Sequence, residues 1–334
     1  MSNIGILGAG TWGIALARML SNSGHKITVW SAIKAEIETL QENNVHPKLP
    51  DVRLPENIVY SSNISEACLE NEYIIFAVPS VYLRQTVFQA SGYLKENQIV
   101  ISVAKGIERD TLLTMSEVIQ DELSKNNASC SSVVALSGPT HAEEVALDIP
   151  TAIVAACGDM SAAEKVQDVF MNTCMRVYTN PDIKGVELCG ALKNIIALAA
   201  GMLKGLNYGD NTLAALITRG ISEIARLGVA VGGYEQTFYG LAGIGDLIVT
   251  ATSKHSRNNQ CGYLIGKGIK VDEAVKQVGM IVEGLNALPA AMELMNRYNV
   301  EMPIIKAVNA VINENADPAK MVLQLMTREK KNEL

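Results

Sequence analysis

The stretch NIGILGAGTWG, residues 3–13, decides the fold of the first half of the chain. An apolar run enters a turn whose glycines follow the spacing G-x-G-x-x-G, and a helical pattern begins directly after it. In such a unit Gly8 permits the tight turn, Gly10 lets a pyrophosphate approach the backbone, and Gly13 lets the helix pack closely on the strand. The N–H groups at the start of the helix attract phosphate. The stretch therefore predicts a dinucleotide site, and the alternative is a glycine-rich turn without a ligand.

Apolar strands separated by helical stretches extend this pattern. Strand patterns lie at residues 3–10, 26–30, 73–79, 98–104, 131–138 and 151–157. Continuous apolar strands that alternate with helices are typical of a parallel sheet covered on both faces. From about Val186 helical periodicity replaces the strand signals, with patterns at residues 211–228, 271–279, 283–299 and 304–315. The sequence predicts an α/β, doubly wound Rossmann-type dinucleotide-binding domain over residues 1–187, followed by an all-α substrate and catalytic domain over residues 188–334.

Composition narrows the class of protein. The 334 residues are 48% hydrophobic and 19% charged, which is typical of a globular chain, and the length suits two domains. The net charge of −7 and the lack of a Lys/Arg run argue against nucleic acid as a partner. The six cysteines form no C-x-x-C pair and no cluster with histidine, so no metal site is predicted. Scattered thiols fit a reducing cytoplasm.

Neither a secretory signal nor a membrane span is expected. The chain opens directly on the first strand pattern, without the charged and apolar regions of a signal peptide. The apolar run from Leu188 to Leu203 contains Lys193 and is shorter than the about 20 residues that a span needs. We expect a cytoplasmic protein. A homodimer is compatible with the sequence, which does not fix the oligomeric state.

The end of the second strand bears on the choice of dinucleotide. Dinucleotide-binding folds commonly carry an acid there, which binds the ribose 2′-OH of NAD and repels the 2′-phosphate of NADP. This chain has Trp30, Ser31 and Ala32 at that place, and its first acid is Glu36. Ser31 and Lys34 are candidate partners of a 2′-phosphate. The sequence therefore predicts NADP or NAD as the cofactor, with NADPH used at least as well as NADH.

Two further segments follow strand patterns of the first half. Lys105, in VAKGIE, lies at the carboxyl end of a strand, where doubly wound sheets bind ligands, and the alternative is a surface lysine. LSGPTHAEE, residues 136–144, ends another strand, and Thr140 with Glu143 fits a capping box at a helix start. The N–H groups of such a start bind an anion or a carbonyl oxygen, unless the segment is a helix cap and nothing more.

The second half holds a lysine in an unusual setting. In GALKNIIALAAGM, residues 190–202, Lys193 and Asn194 are the only strongly polar residues. Because a buried charge without a partner is costly, Lys193 either keeps its ammonium group in water or is held in a cleft to exchange a proton. Asp246, the lone acid of GLAGIGDLIVTATSKHSRNN, residues 240–259, is the best candidate partner, and the alternative is a simple helix cap.

Three hydrogen-bond donors lie together after this acid. Ser256, Arg257 and Asn258 are adjacent in HSRN, and the planar guanidinium of arginine suits a phosphate group. In an acidic protein, such focused donors indicate a small phosphorylated substrate. The plain alternative is a solvated loop.

With these segments in place, the chain resembles the bacterial-type NAD(P)-dependent glycerol-3-phosphate dehydrogenases. The resemblance rests on segments in the family's order over nearly the whole length, namely GAGTWG, AVPS, AKGIE, SGPTHAEE, GALKNIIALAAGM, LITRGISEIARLG, GLAGIGDLIVT, HSRN and IVEGLNA. GALKNIIA, at its distance from AGIGDL, discriminates far better than the glycine motif. The resemblance implies reduction of dihydroxyacetone phosphate to sn-glycerol 3-phosphate, which feeds phospholipid synthesis.

The resemblance also implies roles for single residues. Lys193 matches the family's catalytic lysine, and we predict Asp246 as its catalytic partner. The predicted substrate contacts, which include Asn194 because it lies beside the lysine, are Lys105, Gly138, Thr140, Lys193, Asn194, Asp246, Ser256, Arg257 and Asn258. The predicted cofactor contacts, whose three glycines come from the motif itself, are Gly8, Gly10, Thr11, Trp12, Gly13, Lys105, Ala142, Arg257, Ile281 and Glu283.

The resemblance gives Lys193 the role of a proton donor, and two alternative functions remain. Hydride addition to a ketone produces an alkoxide that must be protonated, and a lysine beside the oxygen supplies the proton. A β-hydroxyacid or sugar-acid dehydrogenase also pairs a Rossmann domain with a helical one, but it must bind a carboxylate. A non-catalytic nucleotide sensor needs the glycine motif but neither Lys193 nor Asp246.

Overall fold

The computed structural model describes residues 1–330 and 332–333, and the chain divides into two compact units, Met1–Glu187 and Leu188–Leu334. The strands are β1 (Asn3–Leu7), β2 (Lys26–Trp30), β3 (Val45–His46), β4 (Leu49–Arg53), β5 (Val59–Ser61), β6 (Tyr73–Phe76), β7 (Ile99–Ser102), β8 (Ser132–Ser137), β9 (Thr151–Ala156) and β10 (Met175–Asn180). The helices are α1 (Thr11–Asn22), α2 (Lys34–Asn43), α3 (Ile64–Cys68), α4 (Leu83–Ser91), α5 (Met115–Lys125), α6 (Ala142–Val145), α7 (Met160–Val169), α8 (Ile183–Gly205), α9 (Asp210–Ala230), α10 (Glu235–Phe238), α11 (Asp246–Thr252), α12 (Arg257–Gly266), α13 (Val271–Val278), α14 (Glu283–Arg297), α15 (Pro303–Glu314) and α16 (Pro318–Met326).

The first unit is built on an eight-stranded sheet in the order β10-β9-β8-β7-β6-β1-β2-β5. Neighbouring strands pair in parallel, except that β8 and β9 run antiparallel. The prediction of a parallel sheet is therefore wrong at this one pair. A parallel neighbour needs a crossover connection, whereas β8 is followed only by the one-turn helix α6 before the chain returns as β9.

Helices and apolar clusters cover both faces of this sheet. Along β6, Ile75 packs into one cluster with Leu16 of α1 and Val166 of α7, while Ile74 packs into a second cluster with Val87 of α4. Since side chains alternate across a strand, an uninterrupted apolar strand supplies both clusters. The doubly wound α/β fold is thus confirmed for the first unit.

Four short or peripheral strands were not predicted from the sequence. β3 and β4 form a small antiparallel hairpin outside the main sheet. β5 and β10 are the two edge strands of the main sheet. β10 alternates buried and exposed residues along most of its length, because its side chains point alternately to a covered face and to an exposed face of the sheet. Such strands lack the continuous apolar runs by which the central strands were identified.

The regular elements in the described part of the second unit are all helices, joined by turns and loops, which confirms the all-α prediction. The helical patterns at 211–228, 271–279, 283–299 and 304–315 correspond to α9, α13, α14 and α15. Leu241–Gly245 forms a π-helical turn directly before α11, and there the N–H of Gly245 donates to Gly240 O, five residues earlier, at 3.2 Å. The chain thus enters α11 with Asp246 as its first residue.

Helices α8 and α12 approach each other so closely that only glycine fits at the crossing. A Cβ atom added to Gly201 would lie 2.1 Å from a carbonyl oxygen of α12, and one added to Gly262 would lie 2.0 Å from a carbonyl oxygen of α8. Gly205 and Gly266 repeat the pattern about one turn further on. By length and composition α8 could cross a membrane, but 94% of its most apolar window is buried inside the structure, as in a core helix.

Candidate active site

The glycine-rich turn between β1 and α1 has the geometry of a phosphate cradle. Gly8 has φ of +124°, a conformation that favours glycine, and a Cβ atom there would lie 2.7 Å from Ala77 O. A Cβ atom on Gly13 would lie 2.1 Å from Gly8 O, whereas one on Gly10 would meet no atom within 4 Å. Helix α1 begins at Thr11 and has no acidic residue in its first turn. The N–H groups of that turn are therefore open to a dinucleotide pyrophosphate, and the residues present fit this group.

The edge of the sheet beside this turn carries an acid that the sequence analysis had placed out of reach. Ser31 follows β2 and donates its hydroxyl proton to Glu36 Oε2 at 2.6 Å. Lys34, considered as a phosphate partner, has its ammonium group 3.4 Å from Glu38. The premise that no carboxylate stands near the end of β2 is therefore wrong, because the first turn of α2 folds Glu36 back towards the strand.

Three predicted substrate contacts of the first unit lie together. Lys105 Nζ donates to Gly138 O at 3.1 Å, and Thr140 Oγ1 donates to the same oxygen at 3.2 Å. They follow the adjacent parallel strands β7 and β8, so their segments emerge at one edge of the sheet. A Cβ atom on Gly138 would lie 3.0 Å from Ile153 Cα. The backbone at Gly138 thus has little space for a side chain.

The predicted capping box at Thr140 and Glu143 is wrong. Helix α6 begins at Ala142 with His141 as its N-cap, and no side-chain capping bond is present. The hydroxyl of Thr140 bonds to Gly138 O instead, two residues before it. Ala142, a predicted cofactor contact, is partly exposed at the start of this one-turn helix.

In the second unit, Lys193 of α8 and Asp246 of α11 form a buried ion pair. The ammonium group of Lys193 donates to Asp246 Oδ1, and to Thr250 Oγ1 at 2.6 Å. The hydroxyl of Thr250 donates in turn to Asp246 O at 2.7 Å. The side chains of Lys193 and Asp246 are 6% and 1% exposed, so the snorkelling alternative does not hold. The predicted pairing of these two charges is confirmed.

Thr250 is a member of this cluster that the sequence analysis missed. Nothing in the residue type of a single threonine within a helix marks it as functional. A signal was nonetheless present, because Thr250 lies four residues after Asp246 within a helical pattern and so shares its face. The i, i+4 spacing explains why both side chains reach Lys193.

A second polar network connects three segments of this unit. Asn194 Oδ1 accepts from Asn258 Nδ2 at 3.0 Å, and Asn258 Oδ1 accepts from the N–H of Gly284 at 2.8 Å. Both asparagines are buried. Asn258 therefore joins α8, the start of α12 and the start of α14, next to Glu283. Ile281 and Glu283, both predicted cofactor contacts, lie partly exposed at this third segment.

The start of α12 is arranged to receive an anion. Ser256 is the N-cap, and its Oγ accepts from the N–H of Asn259 at 3.2 Å. The N–H groups of Arg257 and Asn258 have no acceptor within the helix, and the first turn contains no acid. The partial positive charge of the helix start and the Arg257 guanidinium act in the same direction.

Metal chemistry has no visible support in the described part of the chain, where no group of three or more His, Cys, Asp or Glu side chains is placed to hold an ion. The arrangement of these residues can support proton donation by the buried lysine, anion binding at the start of α12, and phosphate binding at the start of α1.

Comparisons with known proteins agree with this arrangement. Family models of the N-terminal and C-terminal parts of NAD-dependent glycerol-3-phosphate dehydrogenase match residues 3–163 and 182–323. Glycerol-3-phosphate dehydrogenase (NAD(P)+) 2 of Lactobacillus delbrueckii subsp. bulgaricus is 59% identical, over 100% of this chain and 99% of the relative. Glycerol-3-phosphate dehydrogenase (NAD(P)+) of Agathobacter rectalis is 49% identical, over 100% of this chain and 98% of the relative.

A solved structure extends the agreement to the whole fold. The crystal structure of glycerol-3-phosphate dehydrogenase from Coxiella burnetii has a TM-score of 0.92 at 34% identity, covering 98% of this chain and 99% of that one. A ketopantoate reductase from Ralstonia eutropha JMP134 shares only the fold, with a TM-score of 0.63 at 14% identity. Because the family models and the full-length relatives agree, the chain belongs to the NAD-dependent glycerol-3-phosphate dehydrogenase family.

Proposed function

We propose that Lys193 is the proton donor with which this chain carries out the reaction of its family, the NAD(P)H-dependent reduction of dihydroxyacetone phosphate to sn-glycerol 3-phosphate. The observation that carries the proposal is the buried cluster of Lys193, Asp246 and Thr250. Burial of an ammonium group is costly, and two acceptors that fix its direction are typical of a group that performs chemistry.

The chemistry assigns one task to each side chain. When bound, the dinucleotide supplies a hydride to the ketone carbon of the substrate. As negative charge develops on the carbonyl oxygen, Lys193 Nζ stabilises it and donates the proton that completes the alcohol. Asp246 keeps the ammonium form available before the transfer, and Thr250 holds Nζ in direction before and after it.

The phosphate of the substrate is assigned to the start of α12. The backbone N–H groups of Arg257 and Asn258 and the guanidinium of Arg257 are the donors there. The buried side chain of Asn258 already bonds Asn194 and Gly284, so we assign its side chain to positioning and only its N–H to the substrate. This phosphate site favours the phosphorylated ketone over the carboxylate substrate of a hydroxyacid dehydrogenase.

The remaining contacts stay predictions, which the glycine motif implies for its three glycines and the resemblance implies for the other residues. In the first unit, Thr11 and Trp12 with the three glycines are assigned to the cofactor phosphates, and Lys105, Gly138 and Thr140 to the substrate. Ala142, Ile281 and Glu283 are assigned to the cofactor. Arg257 and Lys105 are assigned to both molecules.

A cytoplasmic homodimer is part of the proposal. Leu323 and Met326 of α16 are 64% and 75% exposed, beside a cavity of about 980 Å³ that α9, α15 and α16 line. Exposed apolar surface of this kind is frequent at subunit interfaces. The six cysteines are free thiols, which suits a reducing compartment. Sedimentation equilibrium of the parent chain and of a Leu323→Glu variant tests the dimer.

A cofactor-oxidation assay tests the reaction itself. The panel consists of dihydroxyacetone phosphate, unphosphorylated dihydroxyacetone and 2-oxo acids, each with NADH and with NADPH. We expect turnover of dihydroxyacetone phosphate far above that of the others. Turnover of a 2-oxo acid alone would indicate the hydroxyacid alternative, and dinucleotide binding without any turnover would indicate a sensor.

A further inference from the structure

The end of β2 lies directly beside the glycine-rich turn. The N–H of Gly8 donates to Trp30 O at 2.8 Å, and Leu7 stands opposite Trp30 in the parallel register. The next residue, Ser31, is 5% exposed, and its N–H donates to Ser61 O at 3.3 Å. In doubly wound folds this is the edge that faces the ribose of the adenosine half.

The Ser31 hydroxyl is committed to its neighbours in both directions. Its oxygen accepts the N–H of Ile33 at 3.1 Å, and its proton goes to Glu36 Oε2 at 2.6 Å. While these bonds last, the hydroxyl has no proton for a 2′-phosphate. The group that Ser31 presents to a ligand is therefore the Glu36 carboxylate that it holds.

Helix geometry explains why Glu36 reaches this place from five residues further along the chain. Glu36 lies in the first turn of α2, and its N–H donates to Ile33 O at 3.0 Å. The first turn of a helix also favours an acidic side chain through the partial positive charge of the helix start. Two independent features, the Ser31 bond and the helix start, thus hold the carboxylate at the end of β2.

We propose that Glu36 is the residue that selects the dinucleotide, in the role that other folds give to an acid at the end of the strand itself. Oε2 carries the Ser31 bond, and Oε1 accepts the ribose 2′-OH of NADH, whereas the carboxylate repels the 2′-phosphate of NADPH. The chain accordingly binds both dinucleotides and prefers NADH. This inference rests on the proposed use of NAD(P) and names its specificity.

The cations near this edge offset the carboxylate only weakly. Lys34 Nζ is directed to Glu38 at 3.4 Å, and the Lys34 side chain is 78% exposed. Burial lowers the pKa of His46, which is also subject to the charges of Glu36 and Lys48, so that its imidazole is neutral at pH 7. A 2′-phosphate therefore meets the Glu36 carboxylate, while the exposed ammonium group of Lys34 is paired with Glu38.

Binding of each dinucleotide, measured without substrate, tests the proposal. Titrations of the full chain with NADH and with NADPH, followed by calorimetry or nicotinamide fluorescence, give two Kd values for each variant. We expect the parent to bind NADH at least about tenfold more tightly than NADPH, as one charge-assisted hydrogen bond gained and one repulsion avoided imply. Glu36→Gln should reduce this ratio about tenfold, mainly by tightening NADPH, and Ser31→Ala should reduce it by less.

Controls separate this inference from the function on which it rests. Glu42→Gln makes the same charge change at an exposed position of α2 and should leave both Kd values unchanged. The effect of Glu36→Gln should shrink as salt is raised, because the carboxylate is exposed. A parent that prefers NADPH, or a ratio unchanged by Glu36→Gln, would overturn the inference while leaving the proposed function intact. Failure to bind either dinucleotide would overturn both.

Discussion

At the scale of single residues, the second unit buries two opposite charges as a pair, those of Lys193 and Asp246. Removing one member of a buried ion pair leaves the other unpaired and costs about 3–5 kcal/mol, whereas replacing both by apolar or neutral groups is often close to neutral. Thr250 turns the pair of Lys193 and Asp246 into a network, since its hydroxyl bonds to both residues. Stability and proton supply therefore depend on the same side chains but respond differently to paired substitutions.

Lys193→Met should have two separable effects, one on turnover and one on stability. Loss of a positioned acid lowers kcat about 10²–10⁴-fold, and the unpaired Asp246 lowers the unfolding free energy. The double variant Lys193→Met with Asp246→Asn should recover much of the stability and none of the turnover. Urea denaturation and steady-state kinetics measure the two effects, and the Kd for NADH should stay near that of the parent. Near-normal kcat in the double variant would make Lys193 a structural residue.

Arg257→Ala should weaken recognition of the substrate phosphate. We expect KM for dihydroxyacetone phosphate to rise by an amount equivalent to about 1.5–3 kcal/mol, the value of a charge-assisted hydrogen bond. KM for unphosphorylated dihydroxyacetone should change little. Equal changes for both ketones would assign Arg257 to the cofactor or to the fold. Lys254→Ala, on the loop before α12, is the matched control for a lost positive charge.

The functional residues that could be identified from sequence alone are those that contrast with their neighbours in the sequence. Lys193 stood out as a charge in an apolar run, and Asp246 was the lone acid available to it. The contacts of Thr250 and Glu36 were not predicted, because they depend on helix turns that bring together residues four or five positions apart in the sequence. Such proximity depends on where a helix begins, and helix boundaries are the least certain part of a sequence analysis.

At the scale of elements, the contact between α8 and α12 connects the lysine-bearing helix to the start of the phosphate site. Gly262→Ala places a Cβ atom 2.0 Å from a backbone oxygen, which cannot move as a flexible side chain can. We expect a loss of about 1–3 kcal/mol in unfolding free energy together with a lower kcat. Gly92→Ala, where φ is −70° and no atom lies within 4 Å, should be neutral or slightly stabilising. Equal melting temperatures for the two variants would contradict this account.

The predictability of elements depended on how much of each was buried. The central strands were found because both of their faces are apolar, whereas the edge strand β10 and the hairpin of β3 and β4 were not. The reversal of β9 was missed because strand direction is set by the route of the connection, and the apolar pattern of the strand is the same in both directions. The capping box at Thr140 failed because α6 begins one residue later than the box requires, with His141 and not Thr140 as its N-cap.

At the scale of the whole molecule, each unit contains a buried glutamate that accepts a backbone N–H at the start of another helix. Glu187 accepts the N–H of Ser116 at 2.7 Å, at the start of α5. Glu223 accepts the N–H of Ile304 at 2.8 Å, at the start of α15. Burial raises the pKa of each carboxyl group to about 7. In the unfolded chain both groups return to the ordinary value near 4.5.

The raised pKa values predict that the folded chain loses stability as the pH rises through 7. The folded state holds these two protons more tightly than the unfolded state, so their contribution is complete below about pH 4.5 and is lost by about pH 8. The loss is of order 3 kcal/mol for each group. We expect urea midpoints to fall between pH 5.5 and 8, and the fall to be smaller in Glu223→Gln.

The pH window separates these groups from the ordinary acids. Carboxyl groups such as Glu108, whose pKa the Arg84 guanidinium holds below its usual range, change charge only below about pH 4.5. A pH dependence as large in Glu223→Gln and in Glu187→Gln as in the parent would show that other groups are responsible. Neither glutamate was singled out from the sequence, because burial of a single acid on an amphipathic helix leaves no pattern.

The class of the whole molecule was the most predictable property. Alternation of apolar strands and helices, followed by uninterrupted helical periodicity, sums over many residues and tolerates local errors. The residue pairs to which the expected pH dependence is assigned, such as Ser116 and Glu187, are far apart in sequence. Only the folded chain brings them together.

Because of the π-helical turn at Leu241–Gly245, the position of Asp246 depends on the number of residues in this segment as well as on their identity. A π-helical turn holds one residue more than an α-helical turn, so it resembles a one-residue insertion that the helix has absorbed. Loss of a single codon in this stretch would let the chain rewind as an α-helix and turn Asp246 by about 100° around the axis, away from Lys193. An in-frame deletion here would therefore be as harmful as replacement of the aspartate, although every side chain of the site would still be encoded.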